Sequence, residues 1–172
     1  MLTVDGHINP SNALMAYYNA DHTSSPDHGW SITGYVIFAG QGAISWSAKK
    51  HTAMAWSTTK AKYYTSVHVG QEIAWLHHLL SEIRMPSTQA TMLNIDNTSV
   101  IQMITHPDKI MHCNKHIHLA YHWVREAAEE ETLHSIYVES SKNIVDILMK
   151  PLPCKQYAKL MISLGVHACM HS

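Results

Sequence analysis

Apolar and aromatic residues run from Ala13 to Tyr18, a polar stretch with Ser24, Ser25, Pro26, Asp27 and Gly29 follows, and Ile32 to Ala39 is apolar again. Short apolar runs bounded by turn residues predict strands. Gly40, Gln41 and Gly42 turn the chain into Ala43 to Ser47, which makes three antiparallel strands in sequence order. The period then changes. After Ser57 and Thr58, both good helix caps, Val69, Ile73, Leu76, Leu80 and Ile83 recur at helical spacing until Pro86. At 3.6 residues per turn this predicts a helix of about seven turns. Thr91 to Ile95 reads as a short strand leading into Asp96, and Ser99 to Ile104 as a short helix. Ile117, Tyr121, Val124 and Ala128 mark one face of a further helix, whose end carries Glu129, Glu130 and Glu131, where the helix dipole disfavours acids. Leu133 to Glu139 alternates as a last strand, Lys142 to Met149 predicts a short helix, Pro151 and Pro153 break it, and Lys155 to Leu164 closes the pattern. Strands and helices in this order predict an α/β domain. Its sheet is expected to be five-stranded and mixed, three antiparallel strands followed by two parallel additions, with helices on both faces. Residues 1–13 lack a period and read as a poorly ordered lead-in, 14–165 as the domain and 166–172 as a tail.

Composition narrows the function classes. A chain of 172 residues with 46% hydrophobic content supports one core rather than two. Charged residues make up 15% and the formal net charge is -1, so any contact with nucleic acid must come from a local patch, not a global field. Cys113, Cys154 and Cys169 are odd in number and irregular in spacing, which argues against a disulfide framework and for a reducing compartment. No apolar run approaches the ~18 residues of a membrane span, and the first residues lack the order of a signal peptide. The expectation is a soluble intracellular protein, cytoplasmic or nuclear. Histidine, at 15 residues, is the compositional outlier.

Several longer stretches carry a family resemblance. Gly34-Tyr35-Val36, Gly42 to Lys50, Ser57 to Tyr63, Gln71 to Leu76, Asp96 to Ile101, Lys115-His116-Ile117 with Tyr121-His122, and Val145 to Pro153 occur in one order. Together they resemble the ribonuclease H domain of copia-type (Ty/copia) retrotransposon Pol polyproteins. The resemblance implies a ribonuclease H-like fold whose active form cleaves the RNA strand of RNA:DNA hybrids during reverse transcription. It also implies the hybrid, and the reverse transcriptase region of the same polyprotein, as partners. Such a site holds two Mg2+ ions about 4 Å apart on clustered carboxylates, one activating water and one stabilising the leaving oxygen. The four positions that match the family's acids here are Asn19, expected at the end of the first strand, Lys60, in the first turn of the long helix, Asp96, at the end of the fourth strand, and Asp146, opening a late helix. Only Asp96 and Asp146 remain as candidate metal ligands. Asn19 keeps a carbonyl oxygen but loses a charge. Lys60 would repel a divalent ion about 4 Å away by roughly twice the ~4 kcal/mol of a unit pair at an effective dielectric of about 20. Asp21 lies about 6.5 Å further along the same strand face, too far to replace Asn19 without rearrangement. Relative to the family's usual residues, Trp30, Lys62, His77, His78 and Met149 also depart, each by a single transition. The expected protein is therefore a degenerate, catalytically silent copy, a pseudoenzyme.

Other groups compete for attention. His112, Cys113, His116, His118 and His122 are dense, and His118 with His122 lie one helical turn apart, a spacing that can hold zinc. No second ligand pair of matching spacing accompanies them, and the family often has histidine at three of these positions, so a zinc-binding interaction domain ranks last. Lys49, Lys50, Lys60, Lys62 and Lys115 could line a phosphate-binding rim, which makes a non-catalytic nucleic-acid-binding module the alternative function. Trp46, Trp56, Trp75 and Trp123 are expected to be core or half-buried packing.

Overall fold

Leu14, Ala16 and Tyr18 are fully buried against one core, while Met15 and Tyr17 pack on another, the period of two that a strand covered on both faces requires. The computed structural model that shows this describes residues 13–23, 30–51, 58–87, 89–105, 126–127, 130 and 132–166. Strands β1 (Leu14–Thr23), β2 (Trp30–Ala39) and β3 (Gly42–His51) form two antiparallel pairs. Strands β4 (Thr91–Ile95) and β5 (Leu133–Tyr137) add in parallel, giving one five-stranded sheet in the order β3-β2-β1-β4-β5. This is the expected mixed sheet. β1 and β3 run longer than their apolar patterns, because ladder hydrogen bonds between backbones continue through polar residues such as Asn19 to Thr23. Gly40 supplies the positive φ of 62° that the two-residue β2–β3 turn needs.

Helices cover both faces. α1 (Thr58–Glu82) and α2 (Thr98–Thr105) lie over the larger core, where Val67, Val69, Ile73, Leu76, Val100 and Ile104 meet Leu14, Tyr18, Leu93 and Ile95. On the opposite face, α3 (Asp146–Met149) and α4 (Cys154–Ser163) enclose a smaller core built on Val36, Phe38, Ile144, Val145 and Met149. Two polar contacts fix α1 across the sheet. Ser45 Oγ donates to Glu72 Oε1 at 2.8 Å, and His77 Nε2 lies 2.7 Å from Thr91 Oγ1. Partial burial lowers the proton affinity of His77. α1 ends before Pro86: Arg84 takes a positive φ of 60° and the Met85 N–H returns to Leu80 O at 2.8 Å, a backbone cap of the Schellman type.

Three expectations change. The single helix from Lys142 to Met149 is a 3-10 turn, Ser140–Lys142, followed by a break and then α3. The break is made by Asn143, fully buried, whose Nδ2 donates to Tyr18 O at 3.1 Å and whose Oδ1 accepts the Val145 N–H at 3.3 Å. Trp46 and Trp75 are not packed inside: they are 64% and 55% exposed. Asn19 does not end its strand, which runs four residues further. The helix expected through Ile117 and Ala128, the His112–His122 group with Cys113 and Lys115, Trp56, Trp123, the lead-in up to residue 12 and the tail from 167 lie outside the described residues, two helical positions at 126–127 excepted. Among the described residues no helix is long and apolar enough to cross a membrane.

Candidate active site

The parallel pairing of β1 with β4 ends at Tyr18 and Ile95, and the residue that follows each in the chain is a sequence-predicted site residue, Asn19 within β1 and Asp96 just past β4. Tyr18 and Ile95 enter the larger core, so alternation turns Asn19 to the face covered by α3 and α4. Asn19 is buried, and its partner across β2 is Gly34. A side chain at Gly34 would collide with α3: an added Cβ would lie 2.9 Å from Met149 Cγ and 3.0 Å from Val145 Cγ1. The bare glycine thus lets α3 settle against the sheet beside Asn19. The Asn143 bond to Tyr18 O holds the turn that precedes α3 in the same place.

The consequence is a direct contact between two predicted positions. Asn19 Nδ2 donates to Asp146 Oδ1 at 2.8 Å, and Asn19 Oδ1 accepts the Ala20 N–H at 2.8 Å. Asp146 opens α3, as expected, and only 6% of its side chain is exposed. Its other oxygen, Oδ2, lies 3.1 Å from Lys150 Nζ. That lysine stands 4.0 Å from Asp21 Oδ2 as well. Sequence reasoning passed over Lys150 and Asn143. The first had a legible signal, since an acid followed by a lysine four residues on is a favourable helical pair; the second's tie to the sheet had none, because its Nδ2 bond reaches a strand 125 residues away.

Asp96 directly follows β4 and accepts a bond from Ser140 Oγ at 3.3 Å. Lys60 falls in the first turn of α1, as expected. The direction of α1 follows from its two anchors: His77 meets Thr91 at the start of β4, and Glu72 meets Ser45, which the strand pairings align with Ile37, Ala16 and Leu93. α1 therefore runs opposite to β4, and its first turn lies toward the end of the sheet that carries Asn19 and Asp96. Lys49 and Lys50, exposed on β3, lie at that end too. Among the described residues no group of three or more His, Cys, Asp or Glu side chains could hold a metal ion. Chemically, the centre is a buried carboxylate with both oxygens engaged by donors of the protein itself.

No protein-family model matches the sequence. It is, however, 31% identical over 156 residues to the retrovirus-related Pol polyprotein from transposon TNT 1-94 of Nicotiana tabacum, a match that covers 90% of this chain and 12% of that polyprotein. The chain is homologous to Ty/copia retrotransposon Pol polyproteins. It spans about an eighth of the tobacco polyprotein's length. Its fold is ribonuclease H-like: the N-terminal RNase H domain of rv2228c from Mycobacterium tuberculosis superposes with a TM-score of 0.57 at 11% identity, over 89% of this chain and 99% of that one. LC11-RNase H1 in complex with an RNA/DNA hybrid gives a TM-score of 0.53 at 10% identity, over 76% and 88%. Within this ribonuclease H-like fold, the Asn19–Asp146–Lys150 contact is the feature on which a functional reading turns.

Proposed function

We propose that this chain is a retrotransposon-derived ribonuclease H-like domain, ancestrally a hydrolase of the RNA strand of RNA:DNA hybrids, that no longer cuts because Asn19 and Lys60 stand where metal-binding carboxylates are needed. The observation that carries this reading is the hydrogen bond from Asn19 Nδ2 to Asp146 Oδ1. An amide nitrogen is a donor and never a cation ligand, so at this position the protein presents the wrong end of the group to any metal. A pair of Mg2+ ions does not fit the residues present: one candidate oxygen of Asp146 faces that amide, the other faces an ammonium, and Lys60 brings a further positive charge where an acid is required. Asp96 and Asp146 are the surviving ligands of the ancestral site in this reading.

The test is cleavage of a labelled RNA:DNA hybrid in magnesium and in manganese by this chain and by its Asn19→Asp, Lys60→Glu double variant. The unmodified chain should leave the hybrid intact and the double variant should cut it, by a margin of several orders of magnitude, since groups that act as a unit lose far more than a proportional share when one is missing. Cutting by the unmodified chain would overturn the reading. Retention of uncut hybrid on the unmodified chain, falling as salt rises, would support the second reading, a non-catalytic nucleic-acid-binding module, which the exposed Lys49 and Lys50 at this end of the sheet favour.

A further inference from the structure

A carboxylate as buried as Asp146 is costly unless charge or hydrogen bonds compensate it, and in a two-metal site the cations do so. Here the compensation comes from side chains. Asn19 supplies one donor at 2.8 Å and Lys150 an ammonium at 3.1 Å, one on each oxygen. Lys150 lies at the C-cap of α3, where the backbone leaves the helix at φ -132° and ψ 145° while its N–H still binds Asp146 O at 3.0 Å. That return tethers the lysine stem beside the carboxylate. Its side chain is 32% exposed, so the ammonium reaches Asp146 from the solvent edge rather than being sealed in. It also stands 4.0 Å from a second carboxylate, Asp21 Oδ2. A single positive charge lying between two acids occupies the electrostatic role of a bridging metal ion.

We propose that Lys150 is an internal counter-cation: it holds Asp146 in place without metal and competes with divalent cations for that carboxylate. The competition half rests on the reading of Asp146 as an ancestral ligand; the holding half does not. Asn19 and Lys150 act in concert. The amide removes the repulsion that a second acid would bring, and the lysine neutralises the acid that remains. The domain is therefore folded and locked in the absence of magnesium, and a cation arriving at a restored site must first displace an ammonium.

The experiment uses Lys150→Met, which keeps much of the stem and loses the charge, in this chain and in the Asn19→Asp, Lys60→Glu background. Thermal melting is recorded in EDTA, and Mn2+ binding by isothermal titration. In this chain the substitution should lower Tm in EDTA by roughly 5–10 °C, as expected when a buried carboxylate loses its partly exposed cationic partner in a domain of this size. In the double-variant background it should tighten Mn2+ binding by about tenfold, the scale of one charge-assisted contact. Unchanged or weaker Mn2+ affinity would overturn the competition, and an unchanged Tm would overturn the holding role. If the double variant binds no Mn2+ with either residue at 150, the ancestral-site reading and the competition fall together, and the Tm in EDTA decides the rest. Should Lys150→Met fail to fold, Lys150→Gln gives the same comparison, and Lys150→Arg, which keeps the charge, should melt with the parent.

Discussion

Gly34 sets how closely α3 approaches the sheet, and so where Asp146 comes to rest. An added Cβ would meet Met149 Cγ at 2.9 Å, closer than real Cβ atoms sit, and Met149 Sδ and Val145 Cγ1 at 3.0 Å, tighter than nearly all real contacts. The methionine end can swing, but Val145 is fully buried and branched, with nowhere to retreat. Gly34→Ala should therefore cost about 1–3 kcal/mol by overpacking. Urea denaturation would show it as a lower midpoint at constant slope, and a midpoint equal to the parent's would mean that α3 floats rather than packs. The same substitution should weaken the Asn19–Asp146 contact, since the two residues are held together by the helix that the methyl group displaces.

At the scale of elements, His77 ties the latter half of α1 to the first residue of β4 through Thr91 Oγ1. Burial lowers its proton affinity below the ordinary 6.5. A histidine whose folded pKa is depressed binds fewer protons in the native than in the unfolded chain, so its contribution is fully present above about pH 6.5 and is lost as pH falls through the folded value. The stability of this chain should therefore decline on acidification from pH 7 to 5, and His77→Gln should decline less over the same interval. Midpoints of urea unfolding at the two pH values, taken for both proteins, measure the difference and cancel the titration of the other histidines. The origin of this tie explains what the sequence could and could not reveal. Short apolar runs located β2 and β4, and a period-3.6 pattern located α1, because those elements bury apolar residues. The mixed character of the sheet followed from the hairpin turn and from the helical crossovers that parallel strands demand, whereas the strand order came only with the structure. Asp96 and Asp146 lie within the motifs quoted from the sequence, and the structure brings Asp146 into contact with Asn19. The far ends of β1 and β3 were not legible, since backbone ladder bonds carry them through polar residues, nor was the break at Asn143, whose bond to Tyr18 O reaches 125 residues along the chain; the grip of Lys150 was legible as a helical pair four residues apart and was passed over. The exposure of Trp46 and Trp75 was missed for a related reason: a large aromatic ring reads as core in sequence whether or not the fold places a partner over it.

For the molecule as a whole, chain order matters as much as final geometry. β1, β2 and β3 follow one another through short connections and pair as neighbours, whereas β4 and β5 join after helices. The Asn19–Asp146 bond spans 127 residues, nearly the full distance between the first strand and the late helices. Closing so long a loop is entropically unfavourable until the intervening sheet exists, so local hairpins and α1 are expected to organise first and α3 to dock last. A contact absent from the transition state slows unfolding without speeding folding. Loss of the Lys150 charge should then steepen the rate of escape from the native state while leaving refolding nearly unchanged, and stopped-flow chevrons of Lys150→Met would show the shift on the unfolding limb; a matching fall in the refolding rate would instead place the site in the nucleus. By this logic the buried carboxylate and its lysine act as a clasp fastened at the end of folding, one that governs how long the domain survives rather than how fast it forms.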